Sequence, residues 1–548
     1  MRGWFYTASL PFYAALHAAF ERAAPDPYMD EGFHLNQTMA YCEGRFGAWD
    51  PKITTFPGLY MIAAFLAWFT AACGAAADGA FGSSFRWGRV VFGPDQQASA
   101  TALASELRVP SWCSLGALRA LNLLPALATL PLLFALLRRL HPQRTSRDLF
   151  FNAILLSLLP THFFFHFLYY TDAAATTATL LLLLLLLPPP PADVDAAAVA
   201  TPPQTQTPTQ TQPPQPPQPP QPPQPPQPPQ PPPPPPPPPR TSAAAALVGL
   251  VALSLRQTNA VWIVFALGSV TLLELSPAVP LHTPLHTAIP RLVLELSRNL
   301  FPRPFFSRHC GSFREGLLPR HWPLILLLLI FVAFVLHNGA VVVGDAAHHA
   351  PALHLAQLLH LAAYASLPFE LHQFAAALAS GPLTSIGAAM RAAFAPRHRG
   401  LLMAAAAAAA AATHWSYCHP FLLADNRHLT FYLQRHLLRS APRRFALLPA
   451  YLLSGAALIP RLVRARGPAA TTLLLTCCAL VLVPSPLLEL RYFTLPVLLL
   501  RTHAEPLAGA KEWLPPLLLF AAINAAAVAI FLYRPFVWGD GTIARFMW

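Results

Sequence analysis

Charged residues are scarce in this sequence: they make up only 11% of its 548 residues, whereas 55% are hydrophobic. A soluble domain usually has roughly a quarter of its residues charged, because its surface must be hydrated. Apolar runs recur along the whole chain, as at 179–187, 322–336 and 471–483. Each approaches or reaches the length of about 20 residues with which a helix crosses a bilayer. The composition therefore excludes a soluble globular protein and predicts a multi-span membrane protein.

The sequence also lacks the motifs of nucleotide and metal binding. It has no GxGxxG and no P-loop pattern, so a Rossmann-type domain for a nucleotide sugar is not expected. Neither the seven cysteines nor the adjacent His348 and His349 have metal-site spacing, and we predict no metal. An odd cysteine count gives no disulfide framework but leaves room for one lumenal bridge. The net charge of +13 lies in arginine clusters between apolar runs, which indicates membrane topology rather than nucleic-acid binding.

A low-complexity tract divides the chain into three parts. Residues 1–187 form an N-terminal membrane half that contains a long first loop at 21–112. Residues 188–239 are rich in proline and glutamine, which predicts an extended, solvated and disordered insert. Residues 240–548 form the rest of the transmembrane bundle. The apolar runs predict about thirteen spans, within a range of about 11–15.

Arginine placement predicts the orientation of the chain, because cytosolic loops of membrane proteins are enriched in Lys and Arg. We take the short apolar segment 57–72 as an interfacial helix. The arginine-rich loops then all share the side of the N-terminus: 138–148, 276–321, 391–400 and 461–468. The insert therefore faces the cytosol, whereas the first loop and loops 343–352 and 414–444 face the lumen.

Chemically useful residues concentrate in the predicted lumenal segments. Asp30 and Glu31 are adjacent, and one carboxylate could act as a general base towards a sugar hydroxyl while the other organises the site. His34 lies four residues after Asp30, on the same helical face. The alternative is that both acids only favour the N-terminal end of a helix.

Three further segments carry polar residues at predicted membrane boundaries. Arg256 splits an apolar stretch, which favours a site-facing role over a side chain that snorkels to the interface. Arginines and aromatic residues in the segment 419–435 suit a sugar phosphate, although an interfacial aromatic belt would have the same composition. Arg491 is a third candidate, and its pairing with Glu489 is the plainer interpretation.

Several motifs occur in the order of a known family: YMDE, WDPKITTFPGLY, FLYYTD, RQTN, NGAVVVGD, LLADNRHLTFY, LELRYF and the terminal RFMW. The chain resembles glycosyltransferase family 59, the dolichyl-phosphate-glucose-dependent α-1,2-glucosyltransferases of the lipid-linked oligosaccharide pathway. The resemblance implies an all-α type C glycosyltransferase (GT-C) fold in the endoplasmic reticulum membrane, with a lumenal active site. It implies dolichyl phosphate glucose as donor and a dolichyl-diphosphate oligosaccharide carrying two glucoses as acceptor. The reaction would be an inverting single displacement without a metal or other cofactor.

Carried over to this sequence, the resemblance and the patterns together predict three groups of site residues. The catalytic candidates are Asp30 and Glu31. The candidates for binding the donor are Asp425, Asn426, Arg427, His428, Tyr432, Arg256, Gln257, Asn259 and Arg491. The candidates for binding the acceptor are His34, Trp49, Asp50 and Asp345.

Two other functions compete with this interpretation. The first is another lumenal dolichyl-phosphate-sugar transferase, such as an α-1,3-glucosyl- or mannosyltransferase, and the motif LLADNRH argues against it. The second is a non-catalytic transporter or channel regulator, which would show paired inverted repeats that the sequence lacks. The insert has no counterpart in the family pattern, and the sequon at Asn36 is expected to stay unmodified because it lies close to the site.

Overall fold

The computed structural model describes residues 2–77, 113–189, 239–299, 317–371, 399–414 and 416–548. Residues 190–238 of the predicted insert lie outside this part, as do residues 78–112 of the first loop. Most of the arginine-rich loop 391–400 and residues 300–316 of the loop 276–321 also lie outside it. The fold is therefore reported for the membrane bundle and for the segments at its predicted lumenal end.

Helices dominate the described chain. Before the insert they are α1 (Arg2–Ala23), α2 (Glu31–Cys42), α3 (Gly58–Ala77), α4 (Leu115–Leu121), α5 (Leu123–Leu140), α6 (Ser146–Ser157), α7 (Pro160–Phe164) and α8 (Thr171–Leu186). After it they are α9 (Pro239–Leu255), α10 (Asn259–Glu274), α11 (Leu285–Asn299), α12 (Leu317–Asn338), α13 (Ala356–Ser366), α14 (Arg399–His414), α15 (Phe421–Ala424), α16 (Leu429–Leu433), α17 (Ala441–Ala446), α18 (Leu448–Leu482), α19 (Thr494–His503) and α20 (Ala510–Tyr533). Two short strands, β1 (Phe536–Val537) and β2 (Ile543–Ala544), pair antiparallel after α20.

Four helical stretches in the described residues are long and apolar enough to cross a membrane: Leu115–Leu140, Arg320–Asn338, Ala441–Leu482 and Ala510–Tyr533. A pair bent by 60°, Ser146–Ser157 with Pro160–Phe167, would make a fifth. An all-α, multi-pass membrane protein is thereby confirmed.

The described residues hold fewer full-length spans than the range of about 11–15 that the apolar runs predict. The reason is helix length. Gly58–Thr70, Thr171–Leu186, Ser242–Leu255 and Asn259–Glu274 are apolar but short. At 1.5 Å per residue, a helix of 16 residues such as α8 rises by roughly 24 Å, less than the hydrocarbon thickness of about 30 Å. The ends of these short helices carry polar residues that line the cavity described below, such as Asp172 at the start of α8 and Arg256 between α9 and α10.

A break after α6 brings one such polar turn into the protein interior. Pro160 cannot continue the hydrogen-bond ladder of a helix, so the chain bends between Ser157 and Pro160. The segment after it is buried as far as Asp172, in the first turn of α8. Helix α8 packs along α9 and also contacts α5 and α10. This packing fixes the start of α8 beside the start of α10.

The first loop is fastened to the bundle at two places. A disulfide joins Cys42, at the end of α2, to Cys113, so the one bridge that the sequence left room for is present. The backbone carbonyl of Thr54 accepts a bond from Val343 N (3.1 Å) and one from Gln257 Nε2 (2.8 Å). A side chain at position 344 would meet the Pro51 carbonyl at 2.3 Å, which explains the glycine there. The predicted helix at 57–72 is present as part of α3.

Candidate active site

A cavity of about 960 Å³, counting the space that is open to solvent, lies where five segments meet. The segments run through 54–55, 172–176, 256–262, 342–349 and 481–496. The polar side chains that line it include Asp172, Arg256, Gln257, Asn259, His349 and Arg491. Residues predicted from the RQTN and LELRYF motifs are therefore brought together, although more than 200 residues separate them in the chain.

Arg491 connects the cavity to the first loop. Its Nη1 donates to Oδ2 of Asp30 at 3.2 Å, and its Nε donates to the carboxylate of Glu489. The guanidinium lies 5.5 Å from the centre of the Tyr170 ring and 5.6 Å from that of Tyr492. Asp30 keeps 44% of its side chain exposed and contacts the cavity through Arg491, without lining it itself. The predicted pairing of Arg491 with Glu489 is therefore present, but it uses Nε, and Nη1 of the same guanidinium contacts Asp30.

Asp30 precedes α2 but does not cap it, because its side chain accepts no hydrogen bond from the helix N-terminus. Met29 has a φ of +58°, which lies in the left-handed region of backbone conformation. Residues other than glycine and asparagine rarely adopt this conformation. Such strain collects at functional sites. Burial acts to raise the pKa of Asp30, but Arg491 outweighs it together with His34 and His428, and the pKa lies below its ordinary value. The Asp30 carboxylate therefore pairs with Arg491 and does not serve as a helix cap.

Arg256 and Asp172 form a second ion pair in the cavity wall, with 2.6 Å between Nη1 and Oδ1. Asp172 is 6% exposed, and its other oxygen, Oδ2, has no hydrogen-bond partner in the described part of the chain. The guanidinium of Arg256 lies 5.4 Å from the Tyr492 ring centre. Asp172 is a site residue that the sequence reasoning missed. The available signal was an acid that ends the FLYYTD motif and begins an apolar helix.

Glu31 is fully buried and does not line the cavity. Its carboxylate accepts bonds from Arg119 Nε at 2.8 Å and Nη2 at 2.5 Å. It also accepts the backbone N–H groups of Tyr28 at 2.9 Å and Tyr169 at 2.6 Å. Both oxygens are thus engaged, and the surroundings of Glu31 favour an anchor for the first loop over the catalytic role predicted from the sequence.

The donor-binding candidates at 425–432 form a separate group beside the first loop. Arg427 directs Nε and Nη2 onto the Asp425 carboxylate at 2.7–3.0 Å, and its guanidinium lies 4.1 Å from the Trp538 ring centre. Asn426 Oδ1 accepts a bond from Trp538 Nε1 at 3.0 Å. None of these three residues lines the cavity. His428 is close enough to Asp30 to lower its pKa.

Tyr432 is exposed and lies against Phe546, with 6.2 Å between their ring centres. Gln257 donates to the Thr54 carbonyl and Asn259 Nδ2 donates to the Ala252 carbonyl at 2.7 Å. These last two amides therefore shape the turn between α9 and α10 while they line the cavity.

Three of the four acceptor-binding candidates lie in the first loop, and the fourth, Asp345, lies on the segment after α12. His34 lies beside Asp30, and its Nδ1 is 2.8 Å from the hydroxyl of Tyr60. The Trp49 ring packs against the same Tyr60, at 6.1 Å between centres. Asp50 is occupied locally, since its Oδ1 accepts the N–H of Lys52.

Asp345 lies on the segment after α12, directly after Gly344, which packs against the Pro51 carbonyl of the first loop. It has φ +46° and pairs with His348 at 2.6 Å. No group of three or more His, Cys, Asp or Glu side chains in the described residues could hold a metal ion.

Comparison with known proteins identifies the family. The model of the DIE2/ALG10 family matches residues 24–502. The chain belongs to this family. A relative from Rattus norvegicus is 29% identical over 563 residues, which cover 100% of this chain and 99% of the relative. Relatives from Arabidopsis thaliana and Drosophila melanogaster are each 28% identical, over 96% and 99% of this chain and 95% and 97% of their own lengths.

All three relatives bear the same name, Dol-P-Glc:Glc(2)Man(9)GlcNAc(2)-PP-Dol alpha-1,2-glucosyltransferase. No solved structure matches the chain. Membership of this family agrees with the resemblance to glycosyltransferase family 59, and all of its motifs except the terminal RFMW lie within the matched residues 24–502.

Proposed function

We propose that this protein transfers glucose from dolichyl phosphate glucose to a dolichyl-diphosphate oligosaccharide that carries two glucoses, and so forms its terminal α-1,2 linkage. Relatives that match over nearly their whole lengths carry this activity in their names. The observation that carries the proposal is the contact between Asp30 and Arg491 at the mouth of the cavity. A partly exposed carboxylate thus lies next to a cation that suits a phosphate, and a transfer from a phosphate donor to a hydroxyl requires both groups.

Arg256 and Arg491 are the residues that we assign to the donor phosphate. Both line the cavity, and the planar guanidinium group binds a phosphate in a forked geometry. Their present partners, Asp172 and Asp30, are carboxylates whose places a phosphate oxygen can take. Tyr492, which lies beneath both guanidinium groups, supplies a ring face for the glucosyl group.

The chemical step is a single displacement with inversion. Asp30 accepts the proton of the acceptor 2-hydroxyl while that oxygen attacks the anomeric carbon of the donor glucose. The bond between that carbon and the phosphate oxygen breaks, and dolichyl phosphate leaves with the electron pair. Arg256 and Arg491 stabilise the charge that develops on the phosphate. When the donor occupies Arg491, Asp30 loses the contact that lowers its pKa and becomes a stronger base.

An endoplasmic-reticulum location with a lumenal site is part of the proposal. The disulfide between Cys42 and Cys113 supports it, since such bonds persist in oxidising compartments and are rare in the cytosol. Cys418 offers a test, because it is exposed, unpaired and in a predicted lumenal loop. A membrane-impermeant maleimide should label it only after sealed microsomes are opened, and the Cys418→Ser variant corrects for other cysteines. Labelling of intact microsomes at Cys418 would place the loop in the cytosol.

The activity itself is tested by the lipid-linked oligosaccharides of cells that lack the protein. We expect the species with two glucoses to accumulate. Accumulation of an earlier species would contradict the assignment and favour another dolichyl-phosphate-sugar transferase. In parallel, purified protein should use dolichyl phosphate glucose and not dolichyl phosphate mannose as donor. An unchanged oligosaccharide profile would favour the non-catalytic alternative.

A further inference from the structure

A row of four rings lies beside the cavity and has no role in the proposed chemistry; three of the rings are exposed, and His419 is buried between them. The row consists of Tyr417, His419, Phe421 and His348, and we call these four residues the aromatic row. Successive ring centres are 6.2 Å apart from Tyr417 to His419, 4.6 Å from His419 to Phe421 and 5.8 Å from Phe421 to His348. The Tyr417 ring is 39% exposed and the Phe421 ring 48%. Large aromatic side chains exposed as a group usually mark a binding surface.

The aromatic row leads directly to the cavity. Its last member, His348, is followed in the chain by His349, which lines the cavity wall. Asp345 holds this end in place, with its carboxylate 2.6 Å from His348 Nδ1 and 3.6 Å from His349 Nδ1. The other end is held by His354, whose ring lies 6.3 Å from that of Tyr417. A ligand that leaves the cavity past His349 therefore meets the row first.

We propose that the aromatic row binds the part of the acceptor oligosaccharide that remains outside the cavity. This inference rests on the proposed function and names the surface that recognises its larger substrate. The acceptor named for the relatives contains two glucoses, nine mannoses and two N-acetylglucosamines. The cavity, of about 960 Å³ with its open part included, must also take the donor glucose and its phosphate. Most of the oligosaccharide must therefore lie on the surface next to the opening.

The chemistry of the row fits a neutral sugar. Aromatic faces pack against the C–H groups of sugar rings, and the side chains of the row include no Lys, Arg, Asp or Glu. Burial lowers the pKa of His419, and His349 and His348 lower it further, so its imidazole is neutral near pH 7. A row without Lys or Arg, and with the Asp345 carboxylate beside His348, does not favour the phosphates of a lipid headgroup. The competing occupant is the membrane interface, where aromatic belts also occur.

The test replaces both exposed rings, in Tyr417→Ala/Phe421→Ala, and uses two acceptors. One is the full lipid-linked oligosaccharide, and the other is a lipid-linked acceptor with only the terminal glucosyl-glucose unit. For the full acceptor we expect KM to rise about tenfold or more, because two exposed ring faces are removed from the row. KM for the short acceptor and for dolichyl phosphate glucose should stay within about twofold of wild type, since the cavity itself is unaltered.

The control is Phe46→Ala, which removes another exposed ring, 5.3 Å from Tyr41 in the first loop and outside the row. Its KM for the full acceptor should match wild type. An equal rise in KM for both acceptors in the double variant would overturn the proposal. So would an unchanged KM for the full acceptor, which would make the row part of an interfacial belt.

A binding measurement separates this proposal from the proposed function. The oligosaccharide released from its lipid is titrated into purified protein without any donor, so no transfer is needed. Wild-type protein and Phe46→Ala should bind it alike, and the double variant should bind about tenfold more weakly. If the wild-type protein binds the glycan but transfers no glucose, the proposed function is wrong, whereas glycan binding by the aromatic row is supported. Equal binding of the oligosaccharide by all three proteins would show that the aromatic row does not bind it.

Discussion

Asp30 and Glu31 are neighbours in the chain, but their carboxylates meet different surroundings. Asp30 is partly exposed, contacts Arg491 and does not cap a helix. Glu31 is buried and has both oxygens occupied by Arg119 and two backbone N–H groups. A general base needs a lone pair that the substrate can reach, and only Asp30 has one. The two residues therefore make opposite predictions when each acid is replaced by its amide.

For Asp30→Asn we expect kcat to fall by about 10²–10⁴, the usual contribution of a positioned general base. The amide keeps the size of the side chain, so thermal stability and binding of dolichyl phosphate glucose should stay close to wild type. Single-turnover transfer with purified enzyme measures the chemical step. Wild-type turnover in a correctly folded Asp30→Asn protein would move the base elsewhere, and Asp172 would be the next candidate because it lines the same cavity.

For Glu31→Gln we expect a loss of stability rather than of chemistry. The change leaves the buried Arg119 without its closest anion, and breaking a buried pair costs on the order of 3 kcal/mol. The cost is reduced because Arg119 also contacts Glu21 at 2.7 Å. The melting temperature in detergent and the yield of folded protein measure this effect. A stable Glu31→Gln enzyme with no activity would return the catalytic role to Glu31.

Arg491 and Arg427 differ in their surroundings, and this difference can be tested. Arg491 lines the cavity, whereas the fork of Arg427 is filled by Asp425. Lysine keeps the charge but cannot bind a phosphate with two parallel N–H groups. Arg491→Lys should therefore raise the KM for dolichyl phosphate glucose by about tenfold or more, a loss typical of a charge-assisted bond. Arg427→Lys should change it less; the reverse order would assign the phosphate to the 425–428 segment.

At the scale of elements, the C-terminal segment after α20 ties two predicted lumenal segments together. Arg545 exchanges backbone bonds with the Tyr28 hydroxyl: its N–H donates at 2.7 Å, and its carbonyl accepts the O–H. Two residues later, Met547 N donates to the Arg427 carbonyl at 2.8 Å, and Leu429 N donates to the Met547 carbonyl at 3.2 Å. The RFMW motif thus links the segment before Asp30 to the segment that carries His428.

Tyr28→Phe removes one hydroxyl and both of its bonds to Arg545. We expect kcat to fall by about tenfold, because a small displacement of a catalytic group is costly. The donor KM should be unchanged, since Arg256 and Arg491 do not depend on this contact. Tyr533→Phe is the matched control, because Tyr533 is 77% exposed at the end of α20. A kcat equal to wild type, or a loss explained by a lower melting temperature, would limit Tyr28 to fold stability.

The sequence predicted the all-α class and the longest apolar helices well, but it predicted the number of full-length spans and the contacts between helices poorly. Apolar runs reveal α12 and α20, because length and hydropathy are local properties. The contact between Asp30 and Arg491 joins residues 461 positions apart, and no local pattern encodes it. The motifs identified Arg256 and Arg491 but not Asp172, which reads as an ordinary acid in the first turn of a helix. Whether Arg427 faces a phosphate or Asp425 depends on the path of the chain, which spacing does not give.

At the scale of the whole molecule, the candidate site is built from both sides of the insert. Asp30 and Asp172 precede the insert, whereas Arg256 and Arg491 follow it. Helix α8 ends at Leu186 and α9 begins at Pro239, and these two helices pack against each other. The pairing of Asp172 with Arg256 extends this packing into the cavity. The association of the two halves thus rests on helix contacts among described residues.

Deletion of residues 195–238 should therefore leave glucosyl transfer near the wild-type level. The composition of this tract cannot bury a core, and the predicted topology places it on the cytosolic side, away from the cavity. The residues that remain between Leu187 and Pro239 give a connection as short as those that commonly join packed helices. Transfer rate, melting temperature and microsomal yield are measured for the deletion and for a variant with a Gly/Ser tract of equal length. Loss of transfer in both variants at normal yield would assign the insert a role of its own, whereas loss in the deletion alone would show that its length is needed to let α8 and α9 pair.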